Sequence, residues 1–342
     1  MRFAYMTDTH FGGYDQRLPT RTEVAAAGDD ILAEAQAAEE VGFDGLWIPE
    51  RHARPETYFP SILTVAAAMA ARTTRIQIAT AVLQPTYYHP IHLAEQLAQI
   101  DLLSKGRLVF GAGVGYHEDY FRLFGVPTRR KNARFDEVLQ IIEGVWAQKR
   151  FSHQGEFYHY DDILLTPKPY QQPRPPIWIG AFFDNGIERA THWDGWIWGH
   201  QPELEPARER ISHWRERADK KGRKNWQVGL IIEGWLGDDV KQVRKQHGHR
   251  WVRELAFYQE NGMEPSAEAV SVEALEKQFL ILGNAQHWVD RLGEMQEKLQ
   301  PDWICIRTRT PKPEVGYYPD AGEALECIYR LGEEVIRHFH HR

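Results

Sequence analysis

"DGLWIPERHARPETYFPSILTVAAAMAARTTRIQIATAVL", Asp44 to Leu83, is the stretch that decides the fold. A short apolar run, Gly45 to Ile48, ends at Pro49 and is followed by three ionisable side chains, Glu50, Arg51 and His52. Pro60 and Ser61 then open an alanine-rich helical pattern that runs to Thr73, and a β-branched run, Arg75 to Leu83, completes the unit. Strand, polar exit, helix and strand form the repeating unit of a parallel sheet, because the helix carries the chain back to begin the next strand in the same direction.

The unit recurs outward in both directions. Arg2–Thr7 leads into "AAAGDDILAEAQAAEEVGF", where Ile31, Ala35, Ala38 and Val41 share a helical face and Gly42 ends it. After "YYHP" a helix from Ile91 to Ser104, with Leu93, Leu97, Ile100 and Leu103 on one face, delivers the fourth strand in "GRLVFGAGVG". A helix from Ala133 to Gln148 follows. "PIWIGAF", "DGWIWG", "WQVGLIIEGWLG" and "DWICIRT" supply four more strands, with helices at 185–192, 203–221, 238–258 and 285–299 and a final one from Ala321 to Phe339. Eight strands in so regular an alternation predict an α/β protein of the (β/α)8 TIM barrel class rather than an open doubly wound sheet. Residues 151–176, a polar and aromatic hairpin with a proline-rich return, read as an insertion after the fourth strand. Residues 245–280 read as a helical insertion after the seventh, all within one domain spanning 1–342.

Composition narrows the partners. Lys and Arg number 41 against 48 Asp and Glu, a net charge of −7, which leaves no basic footprint for nucleic acid or an anionic membrane surface. No run approaches the roughly 18 apolar residues that span a bilayer, and the chain enters a strand at once, so a soluble, cytoplasmic protein is expected. Cys305 and Cys327 are expected to be buried and reduced. The abundance of Trp, Tyr and Phe suits both a large core and a pocket for flat ligands.

In a barrel of this kind the chemistry sits at the C-terminal ends of the strands. The exits carry Asp8, Thr9 and His10 after the first strand, Glu50, Arg51 and His52 after the second, and Gln84, Tyr87, Tyr88 and His89 after the third. Tyr116, His117, Glu118 and Tyr120 follow the fourth, Phe182, Phe183, Asp184 and Asn185 the fifth, and Trp198, His200 and Gln201 the sixth. Each histidine taken singly reads equally well as an ordinary loop residue. "GAGVG" (Gly111–Gly115) has the spacing G-x-G-x-G, which is not a dinucleotide fingerprint; glycines at a strand exit more simply let a flat ligand reach the backbone. "WIGAFFDNGIERA" carries a strand into a helix N-terminus, a candidate anion site, with an ordinary N-cap by Asp184 as the plainer reading. No metal site is expected: His247, His249 and the histidines at 338, 340 and 341 lack acidic partners at ligand spacing, and H-E-x-x-H is absent.

Several segments resemble the bacterial luciferase-like flavin monooxygenases and their deazaflavin-using relatives: "EEVGFDGLWIPERH", "TAVLQPTYYHPIHLAEQLAQIDLLSKGRLVFGAGVGY", "FRLFGV" and "PPIWIGAFFDNGIERATHWDGW". The resemblance covers nearly the whole chain. It implies FMN, or alternatively the deazaflavin F420, over the strand ends, with a non-proline cis peptide at Thr80–Ala81 or Ala81–Val82. The cofactor contacts it implies are Thr80, Ala81, Gly113, Tyr116, His117, Tyr120, Gly180, Phe183, Asn185 and Gly186, the phosphate lying near Phe183, Asn185 and Gly186. Two positions depart from the luciferase pattern. Arg51 stands where the luciferase α subunit has a catalytic histidine, and an arginine holds an anion but accepts no proton. Val114 stands where luciferase has a phosphate-binding arginine.

The resemblance implies a monooxygenase that uses reduced FMN and O2 through a C4a-(hydro)peroxyflavin to oxygenate a small organic substrate. His52 or His10 would manage the proton, Arg51 would stabilise negative charge, Glu50 would support them, and Trp47, Tyr87, Phe182 and Trp198 would exclude water. Reduced flavin would come from a separate flavin reductase, and a homodimer is expected. The alternatives are an F420-dependent dehydrogenase, which needs a neutral base where Arg51 stands unless His52 takes that role, and a non-catalytic flavin-binding paralogue.

Overall fold

The computed structural model describes residues 1–11, 17–260, 271–309 and 320–340. Eleven strands occur among them: β1 Arg2–Met6, β2 Gly45–Ile48, β3 Gln77–Thr80, β4 Leu108–Ala112, β5 Phe151–Gln154, β6 His159–Ile163, β7 Ile177–Gly180, β8 Gly195–Gly199, β9 Gln227–Leu236, β10 Leu280–Gly283 and β11 Trp303–Arg307. Eight of them, in the order β1-β2-β3-β4-β7-β8-β9-β11, pair in parallel, and β11 returns to β1 to close the ring. All eight strands expected from the sequence are present, so the chain is a closed (β/α)8 barrel.

Aspartates fix where neighbouring strands begin. Asp44, Asp194 and Asp302 each stand just before a strand, and each accepts a hydrogen bond from the backbone N–H at or near the start of a neighbouring one: Phe3 at 2.8 Å, Ile177 at 2.8 Å and Val228 at 2.8 Å. The "DGLW", "DGWI" and "DWIC" sequences are therefore one device used three times, satisfying N–H groups that precede the regular ladder. Strand residues alternate between two cores. Phe3, Tyr5, Leu46 and Ile48 face the surrounding helices, while Ala4, Met6, Trp47, Trp178, Ile197 and Trp303 fill the barrel. Trp47, Trp178 and Trp303 touch one another with ring centroids 5.9 to 6.4 Å apart.

The antiparallel hairpin β5–β6 follows the fourth barrel strand. The Glu137 carboxylate ties it down by accepting from the N–H groups of Glu156, Phe157 and Tyr158. The Val240–Glu260 helix follows the seventh barrel strand. Besides a short helix at Glu118–Leu123, two elements differ from the sequence expectation. β10 is an additional parallel strand, paired with the outer half of β9 from Glu233 to Leu236. The C-terminal helix is not uniform: Ala321–Arg330 is α-helical, and Leu331–Ile336 widens into a π-helical turn where Gly332 presses on Val41. Both cysteines are free and buried.

The tryptophan-filled interior should respond to truncation in proportion to the volume removed. Trp47→Ala is expected to lower the unfolding free energy by about 3–5 kcal/mol, and Trp47→Phe by less, as measured by urea titration.

Candidate active site

A cavity of about 800 Å³ opens over the C-terminal ends of the barrel strands. One wall is nearly bare backbone. The peptide between Ala81 and Val82 is cis, and the Val82 side chain projects between the exits of β4 and β7. A Cβ at Gly113 would lie 2.6 Å from one Val82 methyl, and a Cβ at Gly180 would lie 2.8 Å from the other. Neither position has room for a side chain, so both expose backbone to the cavity beside the valine.

A second sector of the wall is cationic. Lys131 and Asn132 begin the Lys131–Ala147 helix, and Asn185, Gly186 and Arg189 come from the Asp184–Ala190 helix. The Lys131 ammonium donates to the Gly115 carbonyl at 3.2 Å, and burial holds its pKa below the ordinary lysine value against the pull of Glu118. Arg189 is paired with Asp136. The expected N-cap by Asp184 is corrected: Phe183 occupies the cap position, and the exposed Asp184 carboxylate turns instead to Arg210.

The floor is a buried ion network. Asp8, fully buried, accepts from Arg51 on Oδ1 at 2.6 Å and from Arg307 Nε on Oδ2. Arg51 also donates to the Tyr258 hydroxyl at 3.1 Å. Arg307 donates onward to Glu233 at 3.0 Å and to Glu254 at 2.9 Å. Burial works against the Asp8 charge, but Arg307 and then Arg51 outweigh it and keep its pKa below the usual carboxylate value. His200, whose backbone sits in the left-handed region at φ 50°, lines the cavity with its Nε2 3.6 Å from Glu233.

The structure sorts the sequence candidates by where their side chains go. Glu50, Arg51, Ala81, Gly113, Tyr116, Gly180, Phe183, Asn185 and Gly186 line the cavity. Thr80 lies behind the wall, where its hydroxyl donates to Gly111 O at 2.7 Å. His117 caps the Glu118–Leu123 helix through Nδ1 and stacks on the buried Tyr120 ring, and neither lines the cavity. His52 lies behind Glu50, its ring boxed by Tyr87, Tyr120 and Phe124 and its Nε2 3.4 Å from a Glu50 oxygen without hydrogen-bond alignment. Glu50 does not hold Arg51. Its carboxylate accepts from the Gln84 N–H at 2.6 Å and from the Tyr88 hydroxyl.

His10 is buried beside the network, outside the cavity lining, and neither ring nitrogen has a hydrogen-bond partner among the described residues. Of the four aromatic residues expected to exclude water, only Phe182 is in the wall. Trp47 belongs to the barrel interior, Trp198 to the core under the surrounding helices, and Tyr87 to the box around His52. Among the described residues no cluster of side chains is suited to hold a metal ion, and no helix is long and apolar enough to cross a membrane.

Sequence reasoning did not single out Arg307, Glu233, Tyr258, Lys131 or Arg189. Glu233 has a readable signal, a carboxylate inside the apolar run "GLIIEGW", and Arg307 stands at the end of "DWICIRT". Tyr258 lies on a helix that reaches over the rim, and nothing local marks it.

A barrel that carries a deep, partly charged cavity at the C-terminal ends of its strands has the architecture of a small-molecule enzyme. The luciferase-like monooxygenase profile matches residues 1–299, and the chain belongs to that family. It is 32% identical over 165 residues to the oxygenase component of a flavin-dependent trigonelline monooxygenase from Acinetobacter baylyi, a match covering 48% of this chain and 46% of that protein. It is 28% identical over 295 residues to an F420-dependent glucose-6-phosphate dehydrogenase from Kineococcus radiotolerans, covering 81% and 86%. Among solved structures, the monooxygenase RslO1 from Streptomyces bottropensis superposes with a TM-score of 0.83 at 21% identity, over 99% of this chain and 100% of that one.

His10 gives the site a pH signature. Burial first, then the charges of Arg51, Arg54 and Arg307, hold its pKa well below the ordinary histidine value. As pH falls below about 6.5 the unfolded chain takes up a proton that the folded chain refuses, so this residue makes stability rise with pH across that window and fall on acidification. Between about pH 7.5 and about pH 5.5 its contribution to the slope of unfolding free energy is at most about 1.4 kcal/mol per pH unit. His10→Phe is expected to flatten the dependence seen in urea titrations at each pH; an unaltered slope would show that His10 titrates normally in the fold.

Proposed function

We propose that this chain is the oxygenase component of a two-component monooxygenase, using reduced FMN and O2 to oxygenate a small organic substrate. In this reading it is a cytoplasmic homodimer supplied by a separate flavin reductase. The observation that carries the reading is Arg51. It stands in the cavity wall, clamped by Asp8 and Tyr258, at the position where a dehydrogenase of this family would need a neutral base. A guanidinium stabilises negative charge and does not take up a proton.

The residues present fit a flavin mononucleotide. The exposed backbone at Gly113 and Gly180 beside Val82 suits a flat ring, and Lys131, Asn132, Asn185, Gly186 and Arg189 suit a phosphate. Lys131 thereby takes the place of the arginine that Val114 lacks. When bound, reduced FMN supplies the electrons that activate O2. The protein's share is to hold the phosphate at the cationic sector, to keep water out with Met6, Phe182, Ile197 and Ile231, and to present Arg51 to developing negative charge. Glu50, fixed by Gln84 and Tyr88, positions the backbone from which Arg51 extends. His52 and His10 lie off the wall and reach the site only through their neighbours.

A second reading, an F420-dependent dehydrogenase, is favoured by His200, an imidazole in the wall next to the Glu233 carboxylate. Titration of FMN, reduced FMN and F420, followed by fluorescence, separates the two. Preference for reduced FMN, with reductase-dependent oxygen uptake, is expected. Tight F420 binding with oxidation of an alcohol would overturn the first reading. Lys131→Ala is expected to weaken FMN binding by about 1.5–3 kcal/mol, the worth of a charge-assisted hydrogen bond, while leaving riboflavin binding unchanged in the same assay.

A further inference from the structure

Arg51 differs from the other arginine of the floor in how much of its hydrogen-bonding capacity is used. A guanidinium carries five N–H donors. Arg51 uses one on Asp8 and one on Tyr258, which leaves three without a partner among the described residues. Arg307 is matched by three carboxylates, those of Asp8, Glu233 and Glu254. The pairing follows the same division. Asp8 is one carboxylate divided between two guanidinium groups, and the second partner of Arg51 is a phenol. With Asp8, Glu233 and Glu254 set against Arg51 and Arg307 the floor has no surplus of positive charge, so what sets Arg51 apart is its unused donors.

Its surroundings make those donors selective. Met6, Ala81, Ile197 and Ile231 line the same cavity, and a cation against apolar walls is poorly solvated. The carboxylate beside it in sequence, Glu50, is engaged by Gln84 N and Tyr88 and approaches His52 rather than Arg51. The cationic sector assigned to a cofactor phosphate, Lys131 with Arg189, belongs to elements that follow β4 and β7, whereas Arg51 leaves β2. The cavity thus offers donors for an anion in two separate places.

We propose that the second is for the substrate: a small carboxylate with an apolar body, held by the fork of Arg51 with Tyr258 fixing the guanidinium plane. This rests on the reading of the cavity as a flavin site. It is specific to a planar oxyanion, because two parallel N–H donors match two carboxylate oxygens and do not match an amide, which offers one oxygen and opposes an N–H to the guanidinium.

The test uses matched probes, benzoate against benzamide and cyclohexanecarboxylate against cyclohexanecarboxamide. Each is titrated into the FMN-loaded protein and into the protein without FMN, with calorimetry as the readout. At least one acid is expected to bind about tenfold or more tighter than its amide. Arg51→Gln is expected to abolish that preference while changing amide affinity less than about threefold, and Tyr258→Phe to reduce it by about threefold. Equal affinity for acid and amide, a preference that survives Arg51→Gln, or no binding of any probe to the wild-type protein overturns the proposal. Should Arg51→Gln fail to fold, judged by circular dichroism, Tyr258→Phe decides alone, an undiminished preference refuting the assignment. Failure of FMN to bind would instead refute the flavin reading, and the acid preference of the FMN-free protein still decides the role of Arg51.

Discussion

One carboxylate shared by two guanidinium groups holds the mouth of this barrel. Asp8 leaves β1 fully buried, and its two oxygens face Arg51 from β2 and Arg307 from β11. A buried charge is costly unless it is paired and hydrogen-bonded, and a buried pair buys geometry more dependably than stability. Here it fixes two side chains relative to three neighbouring strands. Through Arg307 the same constraint reaches Glu233 on β9 and Glu254 on the helix that crosses the rim, and Glu233 in turn faces His200 at the end of β8. Moving any member would leave a desolvated charge behind it.

The cavity divides its labour by chemistry. Backbone and one valine form a flat, uncharged bed at Val82, because Gly113 and Gly180 have no room for side chains. Charged side chains enter the lining from the helices that carry Lys131 and Arg189 and from the floor, where Arg51, Arg307, Glu50 and Glu233 meet, and apolar residues from β1, β8 and β9 line the same cavity.

The barrel was readable because its strands are buried apolar runs bracketed by Gly, Asp and Pro, and each Asp before "GLW", "GWI" and "WIC" turned out to pin a neighbouring strand. β10 was not readable. "LILG" pairs only with the outer half of β9, and that half reads from sequence as more of one long strand. At the site, the exits lie where the sequence put them, and several but not all of their side chains reach the cavity. Arg51 and His52 are adjacent, yet one faces the cavity and the other lies against Tyr120 and Phe124, because consecutive residues of an extended exit point to different sides. Tyr258 and Lys131 arrive from helices whose local sequence says nothing about where they lean.

The ring is closed by the strand that is made last. β1 lies between β2 and β11, and the Asp8 to Arg307 contact joins positions 299 residues apart. A ribosome therefore produces both Asp8 and Arg51 long before it produces the cation that completes their network. Until then the chain holds an open sheet edge at β1 and β9, and the final strand supplies the missing edge and the missing charge in the same event.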